Sequence, residues 1–176
     1  RLYFDKRNAI DLFGKRQPGL SLETFGKPQH NYHEESAVGR DIYKIGNALG
    51  IGAVGALVDG KVVKVAEVND RSWKIISSGP VRTIVELNYK GWQVAGRSVD
   101  LKSRMTVWAG ERGFDHQIIA GNAEGLTFVT GLPRKPGLSE ITSTEVDSSV
   151  GVVATWGHQV LKTGATATDS LPDQNL

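Results

Sequence analysis

The sequence predicts an all-β chain folded as an antiparallel β-sandwich, and three observations carry that expectation. Apolar residues recur with period two through the middle of the chain, Gly, Pro, Asn or Asp stand at most of the breaks, and helical periodicity is poor throughout. In order, the strands read as 61–68, 71–78, 81–89, 99–108, 113–121, 125–130, 140–146 and 150–156. Within 81–89, Val81, Thr83, Val85, Leu87 and Tyr89 share one face, while Arg82, Ile84, Glu86 and Asn88 share the other. Within 99–108 the alternation is cleaner: Val99, Leu101, Ser103, Met105 and Val107 oppose Asp100, Lys102, Arg104, Thr106 and Trp108. Such patterns mark strands with one face on a core and one polar face. Asp59-Gly60 and Lys90-Gly91 read as hairpin turns. Only Gly39–Ala48 competes as a short helix, and its glycines count against it. One sandwich domain is expected over 1–162, followed over 163–176 by a loop or tail rich in Thr, Ala, Asp and Ser.

The chain has 176 residues, enough to bury one core. Its 21 Lys plus Arg against 19 Asp plus Glu leave a net charge of +2. There is no Lys/Arg-rich run, so nothing provides the electrostatic footprint of a nucleic-acid partner. Cysteine is absent, which excludes disulfides and thiolate metal sites; this suits an oxidising compartment, so a secreted or periplasmic protein is expected, although a cytosolic protein can also lack Cys. No apolar run approaches the roughly 20 residues that span a bilayer, so no membrane span is expected. Arg1-Leu-Tyr-Phe-Asp reads as mature strand rather than signal peptide, and the chain reads as a segment of something longer.

The densest chemistry lies in residues 29–44, where two His, two Tyr, two Glu, an Arg, an Asp and a Lys fall within sixteen residues. His30 and His33 form an H-x-x-H arrangement beside Glu34 and Glu35, donor types suited to a divalent metal, although no established metalloenzyme spacing is present. No cofactor is otherwise called for. Acid–base use of His33 or Tyr32 is the competing function, since histidine titrates near neutral pH. A solvated polar loop is the bland alternative. Arg40 and Lys44 are candidates to grip a carboxylate or sulfate, against the alternative of a surface ion pair with Asp41.

Gly50-Ile-Gly-Ala-Val-Gly55 matches the dinucleotide fingerprint, but residues 56–65 read as a hairpin where that motif needs a helix. The segment is expected instead to pack backbone closely on backbone. Lys102 and Arg104, with Arg82 and Glu86, suit a solvated sheet face; Trp108 on the same face adds an aromatic ring on which a sugar can stack. Trp73, Trp92 and Trp156 read as core or edge residues. His116, at a turn leading into a strand, is a further candidate for the same pocket, with a structural role as its alternative. Asp5-Lys-Arg-Asn8 reads as a turn whose Asp and Asn side chains cap the backbone.

Several stretches together resemble a poorly characterised family of polysaccharide-degrading bacteria, similar to galactose-mutarotase-like β-supersandwich proteins. They are Tyr3–Lys15, Tyr32-His33, Gly39–Gly52, Gly79-Pro-Val-Arg82 and Ala154–Gln159. Val38 stands where relatives tend to carry Trp, which takes an aromatic wall from the expected pocket. The resemblance implies carbohydrate chemistry and an acidic glycan or oligosaccharide as partner. The expected reaction is β-elimination at a uronic acid, by a lyase or dehydratase. His33 and Tyr32 would be base and acid, Arg40 and Lys44 would neutralise the carboxylate, and Arg104 would stand in reserve. The alternatives are a non-catalytic glycan-binding domain built on Trp108, and an epimerase or hydrolase pairing Glu34 or Glu35 with Asp41.

Overall fold

The computed structural model describes residues 2–21, 23, 27, 31–147, 150–160 and 170–171. Its strands in chain order are β1 (Leu2–Tyr3), β2 (Ala9–Ile10), β3 (Phe13–Lys15), β4 (Gly39–Asp41), β5 (Gly55–Val58), β6 (Lys61–Lys64), β7 (Asp70–Ser78) and β8 (Arg82–Val94). They continue as β9 (Arg97–Trp108), β10 (Asp115–Gly121), β11 (Thr127–Val129), β12 (Ser139–Asp147), β13 (Val150–Trp156), β14 (Gln159–Val160) and β15 (Ser170–Leu171). Every strand pair is antiparallel, and the protein is all-β, of β-sandwich type. No helix among the described residues is long and apolar enough to cross a membrane. Of the expected tail over 163–176, only Ser170–Leu171 lies within the described residues, and it pairs as a strand with β14. Residues 39–48, the competing helix, are strand β4 followed by an irregular segment.

Two compact units divide the chain: Arg1–Phe4, Ala9–Ala53 and Gly131–Leu176 in the first, Asp5–Asn8 and Val54–Thr130 in the second. The second unit contains the meander β10-β9-β8-β7 and the smaller sheet β11-β5-β6. Its inner side chains include Val54, Ala56, Val65, Leu87, Tyr89, Trp92, Val94, Val99 and Leu101, all buried. Trp92 is wholly buried, and its indole N–H donates to the carbonyl of Lys64 at 3.0 Å, so the largest core side chain is also anchored by its one polar atom. Trp73, by contrast, is 62% exposed on the edge strand β7. The Tyr89 hydroxyl donates to the Asn8 side chain at 2.6 Å, and burial holds its phenol well above the ordinary value. Asn8 therefore does more than close the expected turn, in which Asp5 accepts from the Arg7 backbone N–H at 2.8 Å.

Asp59-Gly60 forms the expected two-residue hairpin turn, with φ of 49° and 73°. Lys90-Gly91 does not. It lies inside β8, where Tyr89 pairs with Leu101 and Trp92 with Val99, so two residues oppose Asp100 alone. This is a β-bulge with Gly91 at φ 64°, its N–H held by the Asp100 carboxylate at 2.8 Å. The turn follows at Ala95-Gly96. The extra residue matters because side chains alternate with period two: the bulge advances the phase by one, so Trp92 and Val94 continue the buried face of Leu87 and Tyr89.

The first unit holds the pairs β1-β2, β3-β4, β12-β13 and β14-β15. Its glycine-rich segment packs as expected, backbone on backbone. Gly50 makes a parallel bridge to Ile10 at φ 78°, and a Cβ there would land on the Ile10 carbonyl. Gly52 donates to the Gly131 carbonyl at 3.2 Å. At Gly60 φ is also positive, at 73°, but the space around it is open. Gly60→Ala should therefore cost about 1 kcal/mol for the left-handed backbone alone. Gly50→Ala, which adds a collision with backbone, should cost at least about twice as much. Urea unfolding midpoints of the two variants measure the difference, and equal midpoints would contradict the close approach.

Candidate acid–base site

The site in the first unit begins with local turn chemistry. Asn31 and Glu34 close a turn through a backbone bond of 3.0 Å and a side-chain bond of 2.7 Å, and the Asn31 side chain also accepts from the His33 N–H at 3.2 Å. The carbonyl of Tyr32 then accepts from the Asp41 N–H at 2.8 Å, which fastens this turn onto β4. Strand β4 lies against β3, with Phe13 opposite Asp41 and Lys15 opposite Gly39. At Gly39 a Cβ would strike the Gly14 carbonyl, so only glycine allows the strands this approach.

The result is a buried carboxylate behind a part-exposed imidazole. The Asp41 side chain is 8% exposed and that of His33 32%, with Asp41 Oδ2 3.0 Å from His33 Nδ1. The distance suits an ion pair, but the ring nitrogen is out of line for a hydrogen bond. The other Asp41 oxygen accepts from the Tyr43 N–H at 3.0 Å. The Tyr32 ring packs on the His33 ring at 4.2 Å between centroids, tilted by 42°.

Three further groups complete the cluster, and sequence reasoning did not single them out. Asp11 follows β2, buried, and accepts from the Tyr3 hydroxyl at 3.0 Å and the Leu12 N–H at 2.9 Å. Burial, then the Asp41 charge, raises the Asp11 pKa above the usual carboxylate value against the pull of those hydrogen bonds. Tyr43 is buried, and its hydroxyl has no hydrogen-bond partner among the described residues. Burial and the Asp11 charge push that phenol up to about 12, so it stays neutral near pH 7. Lys135 sits over the Tyr43 ring, 4.4 Å from its centroid, and donates to the Lys44 carbonyl. Burial, then the Lys44 ammonium, lowers Lys135 to about 8, while Asp11 and Asp41 act the other way.

Of the residues expected to act together, Tyr32 and His33 are in contact, with Asp41 beside the imidazole, and Lys44 stands near Lys135. Strand alternation puts the Arg40 side chain on the face of β4 opposite Asp41. Two of its guanidinium nitrogens, Nε and Nη2, are buried without a hydrogen-bond partner among the described residues. His30 of the H-x-x-H arrangement lies outside the described residues, and no group of three His, Asp or Glu placed to hold a metal occurs among those described. Glu34 is held by Asn31 and Glu35 by Arg16.

Arg104, Trp108 and His116 belong to the second unit. Arg104 pairs with Glu86 at 2.7 Å on the outer face of the meander, where Lys74 and Lys102 stand 3.2 and 3.5 Å from the same carboxylate. That face is not simply solvated. The Glu86 side chain is 2% exposed, covered by the three cations, and Arg104 foremost holds its pKa down at about 2. Trp108 shares this face, but His116 does not: it pairs across from Met105, and its Nε2 lies 2.6 Å from the Ser103 hydroxyl on the inner side. His116 therefore lies on the face of the sheet opposite Arg104 and Trp108.

These features define an all-β protein whose first unit carries buried carboxylates with a histidine, a tyrosine and a lysine around them. Residues 1–168 match the model of the family described as domain of unknown function DUF4861, and the chain belongs to that family. No curated protein and no solved structure matches it.

Two titrations check the electrostatics. Because Glu86 has a folded pKa near 2, below the ordinary 4.5, the stability it contributes is full above pH 4.5 and is lost as pH falls towards about 2. Acid unfolding of Glu86→Gln should lose that part of the pH dependence. For Lys135, ¹³C-methylation and NMR titration should give a midpoint near 8, and Lys44→Ala should move it upward by removing a like charge.

Proposed function

We propose that the protein acts by β-elimination on a uronic-acid-containing oligosaccharide, as a lyase or dehydratase of glycan breakdown in a secreted or periplasmic setting. The observation that carries this is the His33–Asp41 pair, with Tyr32 stacked on the imidazole and the lysines Lys44 and Lys135 close to each other. Elimination needs a base for the C5 proton, an acid for the leaving oxygen, and cations against the C6 carboxylate, whose charge grows as C5 becomes carbanionic. His33 Nε2 takes the proton, and the Asp41 carboxylate 3.0 Å from the other ring nitrogen stabilises the imidazolium by its charge. The electron pair forms the C4–C5 double bond, the C4–O bond breaks, and the Tyr32 hydroxyl protonates the departing oxygen. Proton exchange with solvent restores both groups.

Lys44 and Lys135 take the carboxylate-neutralising role for which Arg40 was also a candidate. A bound anion relieves the like charge that Lys44 sets beside Lys135, which favours an acidic substrate over a neutral one. The neutral Tyr43 phenol adds no opposing charge beneath them.

Absorbance of the unsaturated product on uronic-acid oligosaccharides tests the assignment. His33→Ala and Tyr32→Phe should each lower kcat by about 10²-fold or more, the usual span of general acid–base help. Unchanged rates in both variants would remove these residues from the chemistry.

A further inference from the structure

The second unit holds an open cleft of about 590 Å³ where β9 ends and β10 begins, with Val81, Trp108, Glu111, Phe114 and Asp115 among its walls. The turn that shapes it is tied down at both ends. Ala109 donates to the Val81 carbonyl at 2.8 Å, and Glu111 donates to the Trp108 carbonyl at 3.3 Å. The indole is fixed as well. Its N–H donates to Asp115 Oδ2 at 3.0 Å, and the Arg82 guanidinium lies over the ring, 5.3 Å from its centroid. Even so, Trp108 remains 37% exposed and Phe114 38%. Holding a large aromatic ring at the surface in one orientation, with a cation over it and an acceptor at its polar edge, serves no packing need of the sheet.

We propose that this cleft is a separate, non-catalytic site for a neutral sugar. The volume lies within the usual range of ligand pockets and admits one or two pyranose rings. A pyranose presents an apolar C–H face to stack on the indole and hydroxyl donors around its rim. The acceptors waiting there are the Glu111 and Asp115 carboxylates, and hydroxyl-to-carboxylate bonds are the stronger, charge-assisted kind. The lining residues carry two carboxylates; the cations nearby, Arg82 over the indole at 5.3 Å from its centroid and the exposed Arg112 of the same turn, are not among them. A uronate brought to this rim meets like charge, so the cleft selects against the acidic sugars proposed for the first unit. Its occupation is independent of elimination chemistry, and the two readings fail in different measurements.

Titration of the whole chain with neutral oligosaccharides (gluco-, galacto-, manno- and xylo-series), followed by the Trp108 indole N–H signal in ¹H–¹⁵N NMR, tests this. A shift that saturates near about 1 mM is expected, as for one stacked ring with a few hydrogen bonds. Oligouronates should leave the signal in place, and Glu111→Gln/Asp115→Asn should remove that discrimination. Trp108→Ala should weaken binding about tenfold or more while unsaturated-product formation continues; Trp108→Phe, which keeps an aromatic face, should bind with intermediate strength if the alanine variant does not fold. Three results overturn the proposal: no neutral sugar moves the indole signal, oligouronates bind the wild type as tightly, or choline moves it more strongly than any sugar and marks an organic-cation cage instead.

Discussion

Two places where backbone meets backbone at a glycine decide where the charged groups of the first unit stand. Gly39 lets β4 press against β3, which sets Asp41 opposite Phe13. Gly50 lets its own segment bridge to Ile10, the residue before Asp11. Both carboxylates are therefore placed by contacts too close for any side chain. Burying like charges near one another is unfavourable, and it persists because each has a nearby donor: Tyr3 and Leu12 for Asp11, and the Tyr43 N–H for Asp41, whose other oxygen lies 3.0 Å from the His33 ring nitrogen. Backbone geometry comes first and the electrostatics follow from it.

The second unit manages charge in another way. Glu86 lies on the outer face of a sheet, yet three cations from β7 and β9 close over it. No fold-wide burial is required, only long side chains that lay their stems along the sheet and bring their heads to one carboxylate. Isolated surface ion pairs contribute little, whereas one carboxylate shared by three cations on the two flanking strands spreads the ordering cost over several interactions. The inner face answers with apolar packing around Trp92, so β8 carries a charge centre on one side and the core on the other.

Much of this was legible in the sequence, and the failures have physical causes. The faces over 81–89 and 99–108 follow from alternation, which the structure keeps in β8 only as far as the bulge at Lys90-Gly91. The Lys90-Gly91 turn was misread because a glycine at a bulge and a glycine at a turn look alike along the chain; only the partner's register separates them. Glu86 read as solvated because its cover comes from neighbouring strands. In the site, Tyr32, His33, Asp41 and Lys44 were visible as a cluster because they lie in one segment. Lys135 was not, since it reaches the Lys44 carbonyl from 91 residues away and nothing local marks it. Asp11 lay within a stretch already noted for its resemblance to a family, but a lone aspartate after a two-residue strand carries no signal of its own.

The bulge in β8 also has a genetic meaning. With one residue too many against Asp100, the strand has a reading frame, and its two halves keep the same face inward only while that surplus stands. A lineage that lost one codon here would turn Trp92 and Val94 out to solvent and bring Gln93 inward. The loss would have to be matched by a second change of odd length before Trp92. Along this strand, length variation among relatives should therefore arrive in compensated pairs, while the turn at Ala95-Gly96 is free to vary alone.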